Sequence, residues 1–464
     1  MANYRGITLG DSFGKCFEKV ISQDLMDYLI DNKLVYEKQF GFLRETSTSH
    51  CMLSMMDVIS EKLNDRKLVG CVGLDVQKAF DTVDHSILFD KLENIGIRGG
   101  TLDFFKSYYT NRRQYSKING VMTDDYVTIP RSVLQGTVLG VIGFLIFIND
   151  LKNVTKYADN FIFADDLNSL YAANSHEELE KMINEDVEEL MVYYSVNKLS
   201  VHPQKSTVIL FKNKGDRNRY RMKEGEGGEM LYDLRCYING ADLRVVNNDR
   251  EDNTVKILGI LFDENLNFEQ HAQSLYSKLA SGTFLISRAR KFLNNDEMFM
   301  LYHAFFRSHM NYSLPFLGNC SRKTIEGIHK LDKRILRVAD NKGYRAHSTP
   351  IFRDRNILPI KENMELFAMR FMHKVCHRKQ PEWVNDLWEK AHVLRNRTCN
   401  DRNMRNYNEV DFVIKNANRK DIDRHPRYNF PRLFNKLDLE LKQEEDVDVF
   451  LRKSRSLLME RLYC

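Results

Sequence analysis

The run "VLGVIGFLIFI", Val138 to Ile148, leaves this chain the fewest options. It holds no charged or polar side chain, so a helix built from it is apolar on almost every side and reads as deeply buried. It is too short for the roughly 20 residues that cross a bilayer, and glycines at 140 and 143 interrupt it. No other apolar run is longer, so no membrane partner is expected. The opening stretch, "MANYRGITLGDSFGK", has no signal-peptide core. A globular body is therefore expected, and 464 residues are enough for two or three domains.

Helical and strand patterns mix around that run. Phe13, Phe17, Val20, Ile21, Leu25 and Leu29 recur at three- and four-residue steps, predicting an amphipathic helix within 12–34. Cys51 to Leu63 predicts a second amphipathic helix. "LVGCVGLDVQKAF" (68–80) opens as a short buried strand ending at Asp75, then turns helical through Val83, Ile87, Leu88 and Leu92. A helix is expected over about 101–110. "KINGVMTDDYVTI" (117–129) alternates like a hairpin, with Asn119-Gly120 at its turn. Ser175 and Glu178 form a capping-box pattern before an amphipathic helix carrying Leu179, Ile183, Val187 and Leu190. "KSTVILF" (205–211) reads as a strand, and the polar, glycine-rich 213–231 as an exposed loop. "LRCYINGADLRVV" and "TVKILGILFD" read as hairpin or meander strands, and from about 268 nearly everything is helical. The order gives an α+β catalytic body to about 262, then an all-helical appendage.

The net charge of +5 hides an asymmetry. Residues 321–430 hold 25 Lys and Arg against 14 Asp and Glu, while residues 1–320 hold 37 against 43. A basic block of this kind suits a polyanion, or is simply a solvated helical surface. The eight cysteines are scattered with no CxxC pair, as in reduced cytosolic or nuclear proteins. His373, Cys376 and His377 lack a second ligand pair at zinc-finger spacing and read as helix-packing residues.

"FIFADDLNSL" (161–170) sets Asp165 beside Asp166 inside a strand-like apolar run. Strand interiors disfavour Asp, and adjacent like charges repel. A cation would neutralise both, and Mg²⁺ takes hard oxygen ligands. Two-metal phosphoryl transfer needs further acidic residues nearby; Asp75, at the end of its own buried strand, is the candidate third carboxylate.

"GLDVQKAFDTVDH" (73–85), "LQGTVLGVIGFLIFINDL" (134–151), "FADD" (163–166) and "KLSVHPQKSTVILF" (198–211) occur in this order. They resemble the successive palm motifs of reverse transcriptases, specifically those of non-LTR (LINE-type) retrotransposons. "NYRGITLGDSFGKCFEKVI" (3–21) and "QFGFLRETSTSH" (39–50) resemble the family's finger motifs, and "VKILGILFDENLNFEQH" (255–271) the approach to its thumb. "LYHAFFRSHMNY" (301–312) and "LPI" (358–360) look like its helical C-terminal part.

The resemblance implies a right-hand polymerase: fingers and palm with an antiparallel palm sheet over 1–262, a thumb-like helical region over 263–345 and a helical C-terminal region over 346–464. It implies an RNA-directed DNA polymerase working on an RNA template, a DNA primer and dNTPs. Asp75, Asp165 and Asp166 would hold two Mg²⁺ ions, or Mn²⁺ in their place. Phe80 would pack against the incoming sugar, and would also serve as core. Gln135 and Gly136 match the Gln-Gly near nucleotide and template. Lys205 falls at a lysine that donates a proton to pyrophosphate, or is a solvated surface lysine. Leu258 and Gly259 fit the primer-holding hairpin, or are a plain apolar strand end. Lys330, Lys333, Arg334 and Arg337 share one helix face and would lie along a nucleic-acid backbone.

The chain departs from the family pattern at several positions. Gly6 replaces proline, Leu43 replaces a finger arginine, and Arg44-Glu45-Thr46 replaces a basic, glycine-containing stretch. Leu134 and Val141 replace prolines, and Gly143 a leucine. Arg5, Arg44 and Lys15 remain as candidates for phosphate contact. These changes fit a decaying mobile-element copy. The chain opens at a finger motif, so a separate endonuclease or a pre-existing primer end is expected. The rivals are a catalytically impaired nucleic-acid-binding remnant and a helical interaction scaffold built on 321–464. The expected places of work are cytoplasm and nucleus.

Overall fold

The computed structural model of the protein describes residues 7–212, 222–224, 230–232, 234–246, 253–388, 408, 410–414 and 423–462. Most of the loop expected over 213–231 lies outside these residues, as do Arg5, Gly6, Cys399 and Cys464. The chain divides into two compact units. The first is Met1–Cys51, Val69–Ile209 and Tyr220–Val245; the second is Met52–Leu68, Leu210–Arg219 and Val246–Cys464.

The first unit is built on a five-stranded sheet. Its strands are β1 (Leu68–Leu74), β2 (Asp159–Phe163), β3 (Asp166–Ala173), β4 (Thr207–Phe211) and β5 (Arg244–Val245), in the order β5-β4-β1-β3-β2. β1 sits in the middle and is buried nearly throughout, which explains its unbroken apolar sequence. β2 and β3 are antiparallel, with Phe163 opposite Asp166. β5 is only two residues long and joins β4 in parallel.

The Val138–Ile148 helix is buried from Leu139 onward except at Val141, as its composition requires. It packs on the Ser12–Asp31 and His85–Asn94 helices. Its N-cap Thr137 accepts a hydrogen bond from the Gly140 amide, which holds the first turn without a charge. Gly143 faces Tyr109, which is buried and donates its hydroxyl hydrogen to the Leu139 carbonyl at 2.7 Å. A Cβ at 143 would collide with that hydroxyl.

Two helices differ from their expected faces. Ser12–Asp31 buries Leu25, Met26 and Leu29 together with Glu18 and Ser22, while Phe13, Phe17 and Val20 stay exposed. Periodicity marks an apolar face without saying what covers it. Thr48–Asn64 is not amphipathic in its setting: Cys51 to Ile59 is buried on nearly every side, Ser54 and Asp57 included. The 117–129 stretch also divides. Lys117–Ile118 and Val121–Met122 form the expected hairpin, with Asn119 and Gly120 both at positive φ, but Val127–Ile129 pairs with Arg112–Gln114 instead. Ser175 caps the His176–Val196 helix by accepting from the Glu178 amide, whereas the Glu178 carboxylate turns to the Asn174 amide, one residue further out than a capping box requires.

The second unit has a hairpin, Thr254–Ile257 with Ile260–Asp263, followed by helices. Arg322–Ala339 packs on Glu269–Ala289, and Ile360–Cys376 on Pro426–Asn435 and Val447–Glu460. A π-helical turn, His303–Arg307, turns Arg307 inward, where it donates to the Leu358 carbonyl and faces Asp332. Most of Thr48–Asn64 belongs here. Its Ser60 hydroxyl bonds His425, and Arg427 spans Asp57 and Glu61. Compactness thus divides the chain differently from the boundaries expected at 262 and 345. His373 and His377 each bond a backbone carbonyl, of Glu444 and Lys442, and the Cys376 thiol meets that of Val410. All three pack helices together.

Candidate active site

Asp75 follows the last residue of β1, and Asp166 is the first residue of β3. A side chain at Gly73 would stand 3.6 Å from the Asn168 amide oxygen and 3.8 Å from the Thr207 hydroxyl. The C-terminal end of β1 therefore meets the N-terminal end of β3. Alternation along the strands puts Asp75 on the face of Gly73 and Asp166 on the face of Asn168. Between β2 and β3 the chain turns in two residues, Ala164 and Asp165, with Ala164 at φ +58°. Three carboxylates thus emerge at neighbouring strand ends.

Backbone bonds hold Asp75 in place. Its amide donates to the Ser206 hydroxyl at 3.3 Å and its carbonyl accepts from the His202 amide at 2.8 Å. Val76 bridges Val201 in antiparallel fashion. Lys205 Nζ lies 3.8 Å from Asp75 Oδ2, with both side chains well exposed. Asp166 is exposed and Asp165 half-buried. Among the described residues no three His, Cys, Asp or Glu side chains converge as a ready-made metal-binding group. The donor set, oxygen-only and open to solvent, fits a hard cation that keeps waters and binds substrate phosphates.

The aromatic wall comes next. Phe80 is half-buried; its ring stacks on Phe144 at 4.4 Å between centroids, and Phe42 meets it edge-on at 6.2 Å. The Phe80 carbonyl accepts from the Val133 amide at 3.0 Å, which carries the chain to Gln135 and Gly136. Gln135 is half-buried, and its carbonyl accepts from the Thr8 amide at 2.8 Å. Gly136, at φ +106°, has the Thr8 carbonyl where a Cβ would stand, so both conformation and space require glycine. Arg44 is exposed and pairs with Asp27 at 3.1 Å, and Leu43 is half-buried.

The remaining expected site residues lie in the second unit. Leu258 and Gly259 are not a strand end: both have positive φ and form the two-residue turn of the 254–263 hairpin, and Tyr312 donates its hydroxyl hydrogen to the Leu258 carbonyl. On the Arg322–Ala339 helix, Lys330 and Arg334 are exposed and Lys333 half-exposed, while Ile328, Leu331, Ile335 and Leu336 are buried on the other side. Arg337 is engaged locally, donating from Nε to the Ala346 carbonyl at 2.6 Å.

Residues 1–262 match the family described as reverse transcriptase (RNA-dependent DNA polymerase). The chain belongs to this family. Similar proteins include the probable RNA-directed DNA polymerase from transposon BS of Drosophila melanogaster, 24% identical over 388 residues, covering 80% of this chain and 40% of that protein. The RNA-directed DNA polymerase from the mobile element jockey of Drosophila funebris is 22% identical over 411 residues, covering 86% of this chain and 42% of that protein. This reverse transcriptase chain thus spans about two fifths of the length of these relatives. A telomerase structure from Candida albicans aligns with a TM-score of 0.33 at 9% identity, covering 73% of this chain and 54% of that one. The non-LTR resemblance read from the palm motifs agrees with the mobile elements these relatives come from.

Two further residues of the first unit have structural roles that sequence reading misses. Asp84 caps the His85–Asn94 helix and pairs with Lys198 at 2.6 Å; the Lys198 hydrogen bond, helped by Ser86, holds its carboxyl well below the usual range. Gln39 is 2% exposed and reaches the Ala164 turn. A polar residue beside Phe40 in the finger motif was its only signal.

Proposed function

We propose that this chain is the polymerase body of a non-LTR retrotransposon reverse transcriptase, which extends a DNA primer on an RNA template with deoxynucleotides. The observation that carries this reading is the placing of Asp75, Asp165 and Asp166 at adjoining ends of β1, β2 and β3. Two Mg²⁺ ions held by these carboxylates, with Mn²⁺ as a substitute, would lower the pKa of the primer 3′-hydroxyl and neutralise charge on the leaving pyrophosphate. The 3′-oxygen bonds to the α-phosphorus as the bond to pyrophosphate breaks. Lys205, beside Asp75, is within reach to give pyrophosphate its proton. Phe80 is backed by Phe144 and cannot retreat, so a 2′-hydroxyl would clash with its ring. Gln135 and Gly136 border the nucleotide and template, and Arg44 offers a charge for phosphate.

In the second unit, the Leu258-Gly259 turn serves the primer strand, and Lys330, Lys333 and Arg334 follow a phosphate backbone, Arg337 being held by the Ala346 carbonyl. The functional division is fingers and palm to 262, thumb to 345 and a C-terminal region beyond. The work is done in cytoplasm and nucleus, consistent with the free thiols at 16, 51, 71, 236, 320 and 376; among the described residues no helix is long and apolar enough to cross a membrane.

One observation favours a second reading, an impaired nucleic-acid-binding remnant: position 43 is leucine, and Arg44 turns to Asp27. Primer extension with Mg²⁺ on an RNA template decides between them. Extension by the parent and none by Asp165→Asn supports the polymerase; duplex binding without extension by either supports the remnant.

A further inference from the structure

Gln39 is almost fully buried, and its side-chain oxygen Oε1 accepts two backbone hydrogen bonds, from Gly41 at 2.8 Å and from Ala164 at 3.2 Å. Ala164 opens the turn that carries Asp165, and it holds the left-handed conformation that a side chain disfavours. The chain around Gln39 runs along β2 as an added edge. The Phe40 amide donates to the Ile162 carbonyl at 2.8 Å, the Ile162 amide donates to the Lys38 carbonyl at 3.0 Å, and Gln39 lies opposite Ile162 in parallel register. Phe40 stacks on Phe161, and the Lys38 ammonium pairs with Asp159. Gly41 closes the contact, since a Cβ there would collide with the Ala164 amide nitrogen.

We infer that Gln39 is a positioning residue for the catalytic turn: its amide oxygen fixes the backbone of Ala164, and through it the direction of the Asp165 carboxylate. The inference rests on the reading of Asp165 as a metal ligand. An apolar residue at 39 would leave two amides, in a packed place, without their acceptor. A glutamine supplies that acceptor over the needed reach without adding a third negative charge beside the aspartate pair. It also joins the finger segment that carries Phe42 and Arg44 to the turn, so a shift of one is a shift of the other.

The test compares Gln39→Met, which keeps size and removes the acceptor, with Gln39→Glu, which keeps an acceptor oxygen, and with Gly41→Ala, which pushes on the turn. Hydrogen exchange of the Ala164 amide is read on the metal-free full chain. It should quicken at least tenfold in Gln39→Met and stay slow in Gln39→Glu. Single-turnover extension is read as rate and amplitude separately. A displaced carboxylate lowers the rate constant in Gln39→Met and Gly41→Ala, by about 10²-fold for a misplacement near 1 Å, with primer–template affinity unchanged; a folding defect lowers the amplitude alone. Unchanged Ala164 exchange in Gln39→Met, or equal rate constants in Met, Glu and parent proteins, overturns the inference. If the parent itself fails to extend, the polymerase reading falls, and the exchange data still decide whether Gln39 holds the turn.

Discussion

The second unit's buried ion pairs and the first unit's strand-end aspartates are set in contrasting surroundings. In the second unit buried charges are matched. Arg427, with a side chain 8% exposed, lies between Asp57 and Glu61; Lys442 meets Asp411 and the Asn435 carbonyl; Arg307 meets the Leu358 carbonyl and Asp332. In the first unit the aspartates at the strand ends face solvent: the Asp75 side chain is 42% exposed, and Asp166 is exposed too. Burying a charge demands a partner, so the second unit's pairs are architecture. Exposed aspartates at the ends of strands, in a sheet that disfavours them, are what the proposed metal site requires.

That contrast can be broken first at its strongest point. Asp75→Asn should abolish primer extension, a loss on the order of 10³-fold or more, since several kcal/mol of transition-state stabilisation go with a metal ligand. Its urea midpoint should match the parent's. A lowered midpoint with extension preserved would make Asp75 architecture after all.

The converse variant is Arg427→Ala. It takes the guanidinium away from the buried Asp57 carboxylate, a cost of about 3–5 kcal/mol. Both tryptophans, Trp383 and Trp388, lie in the second unit, and Trp388 donates to the Arg427 carbonyl at 3.2 Å. Tryptophan fluorescence in urea should therefore record the loss, with the extension rate per folded molecule unchanged.

Acid should separate the units more gently. His271, His329, His373 and His425, all in the second unit, are pushed down to about 4, in each case chiefly by burial. The unfolded chain takes up these protons near 6.5, the folded one not until about 4. Their stabilisation is complete above 6.5 and is lost as pH falls through 4. Asp332, raised by burial to about 6, acts with the opposite sign, its contribution being present below 3.8 and lost as pH rises through 6. Four groups outweigh one, so the tryptophan-detected midpoint should drop between pH 7 and 5. A flat midpoint would remove the histidines from the account.

The smallest effect concerns the second unit's open charges. Replacing Lys330, Lys333 and Arg334 by Gln should reduce the salt dependence of RNA–DNA duplex binding by a log–log slope of ~0.7–0.9 per lost phosphate contact. Adding Arg337→Gln should change little more, because its guanidinium already serves Ala346. An unchanged slope in the triple variant returns this face to solvent.

Much of this was readable from local chemistry. The apolar run had to be a buried helix, Asn119-Gly120 had to be a turn, and Asp75 had to close a strand. The ordered motifs then gave the family, which the 1–262 match bears out. What stayed hidden depends on partners far along the chain. Gln39 meets Ala164 across 125 residues, and Ser60 meets His425 across 365. No periodicity marks such pairs. The Leu258 turn was hidden for another reason, since leucine at positive φ runs against its local preference.

The glycine at 143 looks, in the sequence, like erosion of a leucine. In the folded chain its emptiness is occupied. Tyr109 fills it, and because burial pushes that phenol well up, its hydroxyl stays a donor and keeps its bond to Leu139. The two positions therefore exclude one another: a leucine at 143 and a tyrosine hydroxyl at 109 cannot share the same volume. Residue 143 and residue 109 are a locked pair, and drift at either one alone would be felt at once in the buried Val138–Ile148 helix.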